Sequence, residues 1–167
     1  MRYGELAGLF EEDINFEESQ ISINRRYYEA ADNYDLPKNG KKRNIYVNAD
    51  VLKALKAEML SKKKKLLAYQ LRRDIPNVFI TSGGRPYGLR NVNRSLASVK
   101  LPSGKKVTSH YFRHSFITYM LEEETPTKLI AEHVGHSNTK MIDNIYSHFS
   151  TRMNEQLKES ILNLEII

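Results

Sequence analysis

The chain has 167 residues, 40% apolar and 28% charged, which is one globular domain with enough length to bury a core and not a disordered polypeptide. Its 26 Lys and Arg against 20 Asp and Glu give a net charge of +6, which favours a polyanionic partner, nucleic acid first. No apolar run approaches the roughly 20 residues of a membrane span, no secretory pattern opens the chain, and the absence of cysteine excludes disulfides and cysteine-held metals and points to a reducing cytoplasm.

The first residues enter a helical pattern at once. Leu6, Leu9 and Phe10 sit at helical spacing with no capping segment before them, as in a piece cut from a longer protein. Three short alternating runs follow: Ile14 with Phe16, Ile21 with Ile23, and Arg43 to Val47. Glu17 to Gln20 separates the first two, and the turn signal Pro37-Lys38-Asn39-Gly40 precedes the third. They predict a small antiparallel sheet of three strands. From Asn48 or Asp50, either of which can cap, a helix runs with Leu52, Leu55 and Met59 on one face and Leu66, Leu67 and Leu71 resuming it. Lys62, Lys63, Lys64 and Lys65 interrupt that stripe, as a solvated face, a break or a strip for phosphates. Val78-Phe79-Ile80 reads as a short buried piece ending in a turn over 82–86.

The remainder reads as helical. Thr108 or Ser109 starts a helix with Phe112, Phe116 and Met120 as its stripe. Thr125-Pro126 is an N-cap followed by a first-turn proline, with Leu129, Ile130 and Val134 next and Gly135 as the stop. Another helix starts over 137–144 with Met141, Ile142 and Ile145 apolar. The end, from Leu157 to Ile167, is an amphipathic tail. The fold class is α+β, mainly helical, with the sheet beside a helical core, in one domain over 1–167.

Four of the five histidines lie between residues 110 and 136. His110 and His114 are i, i+4 on a helix, a spacing that can hold zinc. No glutamate lies between them, however, and the permanent charge of Arg113 repels a cation, so no metal and no other cofactor is expected. An anion fits better. His110 and Arg113 share a helix face, a guanidinium matches two phosphate oxygens, and His136 follows Gly135 at a helix break where backbone amides also point outward.

These residues also carry a resemblance. Met1-Arg2-Tyr3-Gly4-Glu5-Leu6, His110-Tyr111-Phe112-Arg113-His114-Ser115-Phe116, Val134-Gly135-His136-Ser137 and Ile145-Tyr146-Ser147-His148 are similar, in the same order, to the boxes of the tyrosine recombinases, the integrases of phages and conjugative elements. Pro37-Lys38-Asn39-Gly40 lies in the turn where that family places its lysine.

The resemblance implies a site-specific recombinase that cuts and rejoins DNA through a 3′-phosphotyrosyl link. Tyr146 is then the nucleophile, Arg2 and Arg113 clamp the phosphate oxygens, and His136 adds a hydrogen bond. His110 assists proton transfer, Lys38 protonates the leaving 5′-oxygen, and Glu5 supports Arg2. Lys41, Lys42 and Arg43 are alternatives to Lys38. His114 reads as structural, His133 as a residue particular to this chain, and His148 is given no role. Two arginines and a histidine stabilise the charge of a phosphoryl transition state without a metal. Tyrosine, with a pKa near 10, needs a base or a positive field to attack.

The resemblance further implies double-stranded attachment-site DNA as partner, a recombinase tetramer on that DNA and a place for a directionality factor. Lys62, Lys63, Lys64, Lys65, Arg90 and Arg94 are candidates for backbone contact. The chain departs from the family in lacking the first helices of the catalytic domain and the amino-terminal core-binding domain, so alone it should bind DNA weakly. Three alternatives compete with this reading: a type IB topoisomerase, a non-catalytic DNA-binding module from a decayed mobile element, and a metal-dependent hydrolase. The Gly4-Glu5-Leu6 and Val134-Gly135-His136-Ser137 boxes favour the integrases over the topoisomerases.

Overall fold

In the computed structural model, residues 1–71, 74–99, 101, 102, 104, 106–136, 139, 140, 142, 143 and 147 are described. The expected nucleophile Tyr146, His148, most of the helix expected over 137–144 and the tail lie outside these residues. Chain order is α1 (Tyr3–Ala7), β1 (Ile14–Asn15), β2 (Gln20–Ile23), β3 (Arg26–Tyr28), β4 (Asn33–Asp35), β5 (Arg43–Tyr46), α2 (Ala49–Ala68), α3 (Leu89–Leu96), α4 (Ser109–Glu122) and α5 (Thr127–Val134).

The expected sheet is present, antiparallel in the order β1-β2-β5, with Ile14 opposite Ile21 and Ile21 opposite Ile45. Period-two alternation puts Ile21, Ile23 and Ile45 on one buried face. They pack with Leu9, Leu55 of α2 and Val78 in one apolar cluster. A second cluster joins Ile117 and Leu121 of α4 to Ile130, Ala131 and Val134 of α5, with Ile142. The fold class is the α+β one read from the sequence, small sheet beside helices.

The structure corrects four local readings. It adds the hairpin β3–β4 and helix α3, which the sequence pattern does not predict. The hairpin is held by contacts distant in sequence: the Tyr34 hydroxyl donates to Asn77 Oδ1 at 2.7 Å, and the Phe10 and Tyr34 rings meet edge to face at 5.1 Å. Helix α2 runs unbroken through Lys62, because Lys62 lies seven residues beyond Leu55 on the same face and its aliphatic stem continues the stripe. Helix α4 buries Arg113, Ile117 and Leu121, one residue out of phase with the aromatic stripe, and leaves Phe112 and Phe116 exposed. Helix α5 starts at Thr127, with Pro126 rather than Thr125 at the cap, its carbonyl accepting from the Leu129 and Ile130 N–H groups.

Candidate active site

The site is built at the C-terminal end of α5, on the seam between the two apolar clusters. The last carbonyls of a helix have no partner inside it and carry the negative end of its dipole. Here they are met by cations. Arg43 Nε donates to His133 O at 2.9 Å and its Nη2 to Val134 O at 3.3 Å. Arg113 Nη2 also donates to Val134 O. Arg2 Nη2 donates to Gly135 O at 2.9 Å.

Gly135 ends the helix at φ +71° and ψ 43°, in the left-handed region. Its N–H donates to Glu132 O at 3.1 Å and that of His136 to Ala131 O at 2.9 Å, a Schellman ending. A glycine is required twice over, for the angle and because a Cβ would stand 2.6 Å from the Arg43 guanidinium. This turn delivers His136 to the arginines.

The counter-charge is Glu5, 2% exposed. In the short α1 it reaches back to accept the Arg2 N–H at 2.7 Å, the reciprocal half of a capping box. It also accepts Arg43 Nη1 and Nη2, at 3.1 and 2.8 Å, and Arg2 Nη1 at 3.3 Å. Burial pushes its carboxyl up, but the bonds from Arg43 and from the Arg2 backbone override this and hold it below the ordinary range. Two guanidiniums, those of Arg2 and Arg43, thus hold one carboxylate, and the third, Arg113, shares the Val134 carbonyl with Arg43.

Two polar atoms in this positive seam are buried and have no partner among the described residues, Arg113 Nη1 and His136 Nδ1. Burial, followed by the charge of Arg2, pushes Arg113 down to about 10, so it remains a cation at neutral pH. Burial, then Arg113 and Arg2, pushes His136 down to about 4, so it is neutral there. A buried donor or acceptor left unmet is costly. An oxyanion would satisfy both and relieve the mutual repulsion of the arginines.

The other expected residues sit as follows. Lys38 is exposed in its turn, and the neighbouring Asn39 Nδ2 donates to Gly135 O at 3.4 Å, which docks the turn beside α5. Lys41, Lys42, Lys128 and His136 line an open cleft of about 740 Å³ here. His110 is exposed in the first turn of α4, one turn before Arg113. His114 is also exposed, and His133 is half-buried with its ring stacked on Phe116 at 5.2 Å.

Lys63, Lys64, Arg90 and Arg94 are exposed, but two backbone candidates are corrected. Lys62 is 3% exposed, its Nζ donating to Glu11 and the Ile75 carbonyl. Lys65 Nζ donates to Glu58 at 3.0 Å and the Ile80 carbonyl at 3.1 Å. Lys62 is spent inside the fold, and Lys65, half-buried, is tied down at its surface. The residue that the sequence pattern undervalues is Arg43, which it offers only as a stand-in for Lys38. Its signal is parity: in the run from Arg43 to Val47 it shares its strand face with Ile45, so a charge there points inward.

A cationic site with two unmet buried polar atoms, on a small sheet beside paired helices, defines an α+β domain with a candidate anion site. Residues 1–153 match the phage integrase family, and the chain belongs to that family. It is 31% identical over 172 residues to the integrase of Staphylococcus phage L54a, covering 98% of this chain and 49% of that protein. It is 30% identical over 166 residues to the tyrosine recombinase XerA of Pyrococcus furiosus, covering 96% of this chain and 49% of that protein. The chain thus spans about half the length of these two relatives.

Among solved structures, the Tn1549 transposon integrase in complex with transposon right end DNA matches with a TM-score of 0.72 at 23% identity, over 95% of this chain and 54% of that one. The XerA recombinase crystal structure matches with a TM-score of 0.66 at 21% identity, over 99% of this chain and 54% of that one. The fold is that of a tyrosine recombinase catalytic domain. Among the described residues no helix is long and apolar enough to cross a membrane.

Proposed function

We propose that this chain is the catalytic domain of a site-specific DNA recombinase, cutting and rejoining DNA through a 3′-phosphotyrosyl intermediate. The observation that carries this is the pair of buried, unmet groups, Arg113 Nη1 and His136 Nδ1, held among three arginines at the end of α5. Family membership supports the same reading, and so do relatives named integrase and tyrosine recombinase.

The chemistry follows from the charges. Arg2 and Arg113 bind the non-bridging oxygens of the scissile phosphate, and neutral His136 adds a hydrogen bond. Negative charge that gathers on those oxygens in the transition state meets cations already in place. Tyr146 attacks phosphorus, its proton passing towards His110, and the 5′-oxygen leaves with a proton from Lys38. The tyrosyl ester conserves the bond, so the reverse attack of a 5′-hydroxyl reseals DNA without ATP. No step requires a metal or a cofactor. Lys63, Lys64, Arg90 and Arg94 contact backbone phosphates.

In this reading the substrate is double-stranded attachment-site DNA of a mobile element, in the cytoplasm, and residues 1–167 form one catalytic domain. It works with a DNA-clamping domain of the kind the family carries, in a tetramer on DNA, with direction set by a separate directionality factor. DNA is extended to this chain from the complexes solved for the Tn1549 integrase.

The test is a covalent trap. The longest natural form of the protein, and this chain beside it, are incubated with nicked duplexes bearing the element's ends, with EDTA throughout and Tyr146→Phe as control. A denaturing gel should show an adduct that the variant loses. Salt-sensitive DNA binding with no adduct from either form would sink the enzymatic reading in favour of a DNA-binding module.

A further inference from the structure

Arg2, Lys38 and His136 lie on three separate segments of chain, and one guanidinium joins all three. Arg43 stands at the start of β5, five residues past Lys38. Its Nη1 and Nη2 hold both oxygens of Glu5, at 3.1 and 2.8 Å. Its Nε and Nη2 hold the last carbonyls of α5, at 2.9 and 3.3 Å. Glu5 in turn holds the Arg2 backbone N–H at 2.7 Å. The α5 carbonyls belong to the turn that delivers His136. The segments bearing Arg2, Lys38 and His136 are therefore set against one rigid, planar group.

Arg43 is not itself offered to a ligand. Its side chain is 10% exposed, and Nε, Nη1 and Nη2 each donate to an acceptor of the protein. Arg113 differs, having Nη1 unmet among the described residues.

Electrostatics gives Arg43 a second effect. Glu5 is a buried carboxylate beside the two arginines that must face a phosphate. Its contact with the Arg2 side chain is a single one of 3.3 Å, because Arg43 occupies it as a fork on a fork. With Arg43 gone, the nearest cation left to Glu5 is Arg2. That guanidinium would close on the carboxylate and turn from the phosphate.

We infer that Arg43 is a positioning residue of the active site, acting through Glu5 and the terminal carbonyls of α5 to hold Arg2 and His136 in register with the Lys38 turn. The inference rests on the recombinase reading above for its role in cleavage. Lysine cannot substitute: it keeps the charge but has no planar fork to hold a carboxylate and two carbonyls at once.

The experiment compares the unchanged protein, Arg43→Lys and Arg43→Lys with Glu5→Gln, reading nicked-duplex affinity and the single-turnover rate of adduct formation. Arg43→Lys should keep affinity within about twofold and slow adduct formation by about 10- to 100-fold, the scale of a catalytic group displaced by about 1 Å. Adding Glu5→Gln should recover about tenfold of the rate, since the amide no longer captures Arg2.

A rate within about threefold of the unchanged protein would overturn the inference, as would an affinity that falls in step with the rate, or a Glu5→Gln change that deepens the loss. If Arg43→Lys does not fold, the double variant decides: folded with measurable adduct, it supports the inference; unfolded, it reduces Arg43 to a core ion pair. If even the longest natural form of the unchanged protein gives no adduct, the recombinase reading has failed, and the same variants are titrated with inorganic phosphate by NMR. Phosphate binding weakened by Arg43→Lys and restored by Glu5→Gln supports the positioning role, and equal binding overturns it.

Discussion

Two regions of the molecule gather cations around backbone carbonyls, and they do so to opposite ends. Along α2, Lys62 binds the Ile75 carbonyl and Glu11, and Lys65 binds the Ile80 carbonyl and Glu58. Each cation there has its own acid. Burial works against the charge on Lys65, but Glu58 and Tyr87 hold its pKa above the ordinary value. At the end of α5, three arginines gather beside one carboxylate, which Arg2 and Arg43 bind, and Arg113 keeps a buried donor unmet among the described residues. A run of basic residues in the sequence does not tell these cases apart. What separates them is the balance of charge and of hydrogen-bond partners: the first region is closed, and the second is short of one anion.

The sharpest way to break the comparison is Arg113→Ala. If the α5 seam is short of an anion, the loss falls on chemistry. Adduct formation should drop by about 100- to 1000-fold, the scale for removing one donor from an oxyanion site. Folding should suffer by only about 1–3 kcal/mol, because Val134 O keeps its bond from Arg43. Thermal unfolding and single-turnover cleavage measured on one preparation decide. An unfolded Arg113→Ala would make the seam as structural as the α2 run.

Gly135→Ala attacks the framework instead. Alanine at φ +71° is strained, and its Cβ would press on the Arg43 guanidinium at 2.6 Å. The expected cost is about 2–3 kcal/mol in urea unfolding, with the site displaced as well. A loss under about 0.5 kcal/mol would show that the Schellman turn tolerates a side chain and does not fix His136.

On the α2 side the contrast lies within the lysine run. Lys62→Met should lower stability by about 1–2 kcal/mol by leaving Glu11 and the Ile75 carbonyl without their donor, and leave the salt dependence of DNA binding unmoved. Lys63→Ala with Lys64→Ala should do the reverse. Stability holds, and the slope of log affinity against log salt falls by about 1 for each phosphate that is no longer neutralised. A salt slope that changes with Lys62→Met would put Lys62 back on the DNA face.

Parity explains what is legible in the sequence and what is hidden. Ile21, Ile23 and Ile45 announce the sheet through alternation, and Gly135 announces the end of α5 by being the residue that a left-handed stop selects. The same parity rule places Arg43 inward, yet an arginine beside Lys41 and Lys42 reads as surface until its partner Glu5, 38 residues away, is seen. Lys62 hides in the same way, on the heptad of Leu55. The phase of α4 misleads because large aromatics look like core, whereas the group drawn inward is Arg113, held by the carbonyl of Val134 on another helix. Hairpin β3–β4 is invisible because tyrosine contacts across the chain hold it. The order of the boxes is legible, but the pairing of Arg2, Arg43 and Glu5 is tertiary.

The smallest expected effect is a pH dependence that belongs to the α5 seam alone. Burial, with Arg113 and Arg2 behind it, pushes His136 from its ordinary 6.5 to about 4. As pH falls below 6.5, the unfolded chain takes up the proton first and the folded protein takes it up only near 4. Across that window the unfolded state binds more protons, so this group's contribution to stability is complete above 6.5 and is lost as pH falls towards 4. Glu5, held below the ordinary carboxylate range, loses its contribution at lower pH still, and the Met1 amino group, pushed down to about 6 by burial and then by Arg113, adds its own slope near pH 7 to 6, so the difference between the unchanged protein and His136→Gln is what isolates this imidazole. His133, lowered first by burial, adds to the same slope. Urea midpoints at pH 7 and 5 should fall less in His136→Gln than in the unchanged protein. Inorganic phosphate should flatten the unchanged protein's slope, because an anion beside His136 raises its pKa in the folded state. Identical slopes in the two proteins, with phosphate making no difference, would mean that His136 faces solvent and that the seam is as closed as the α2 run.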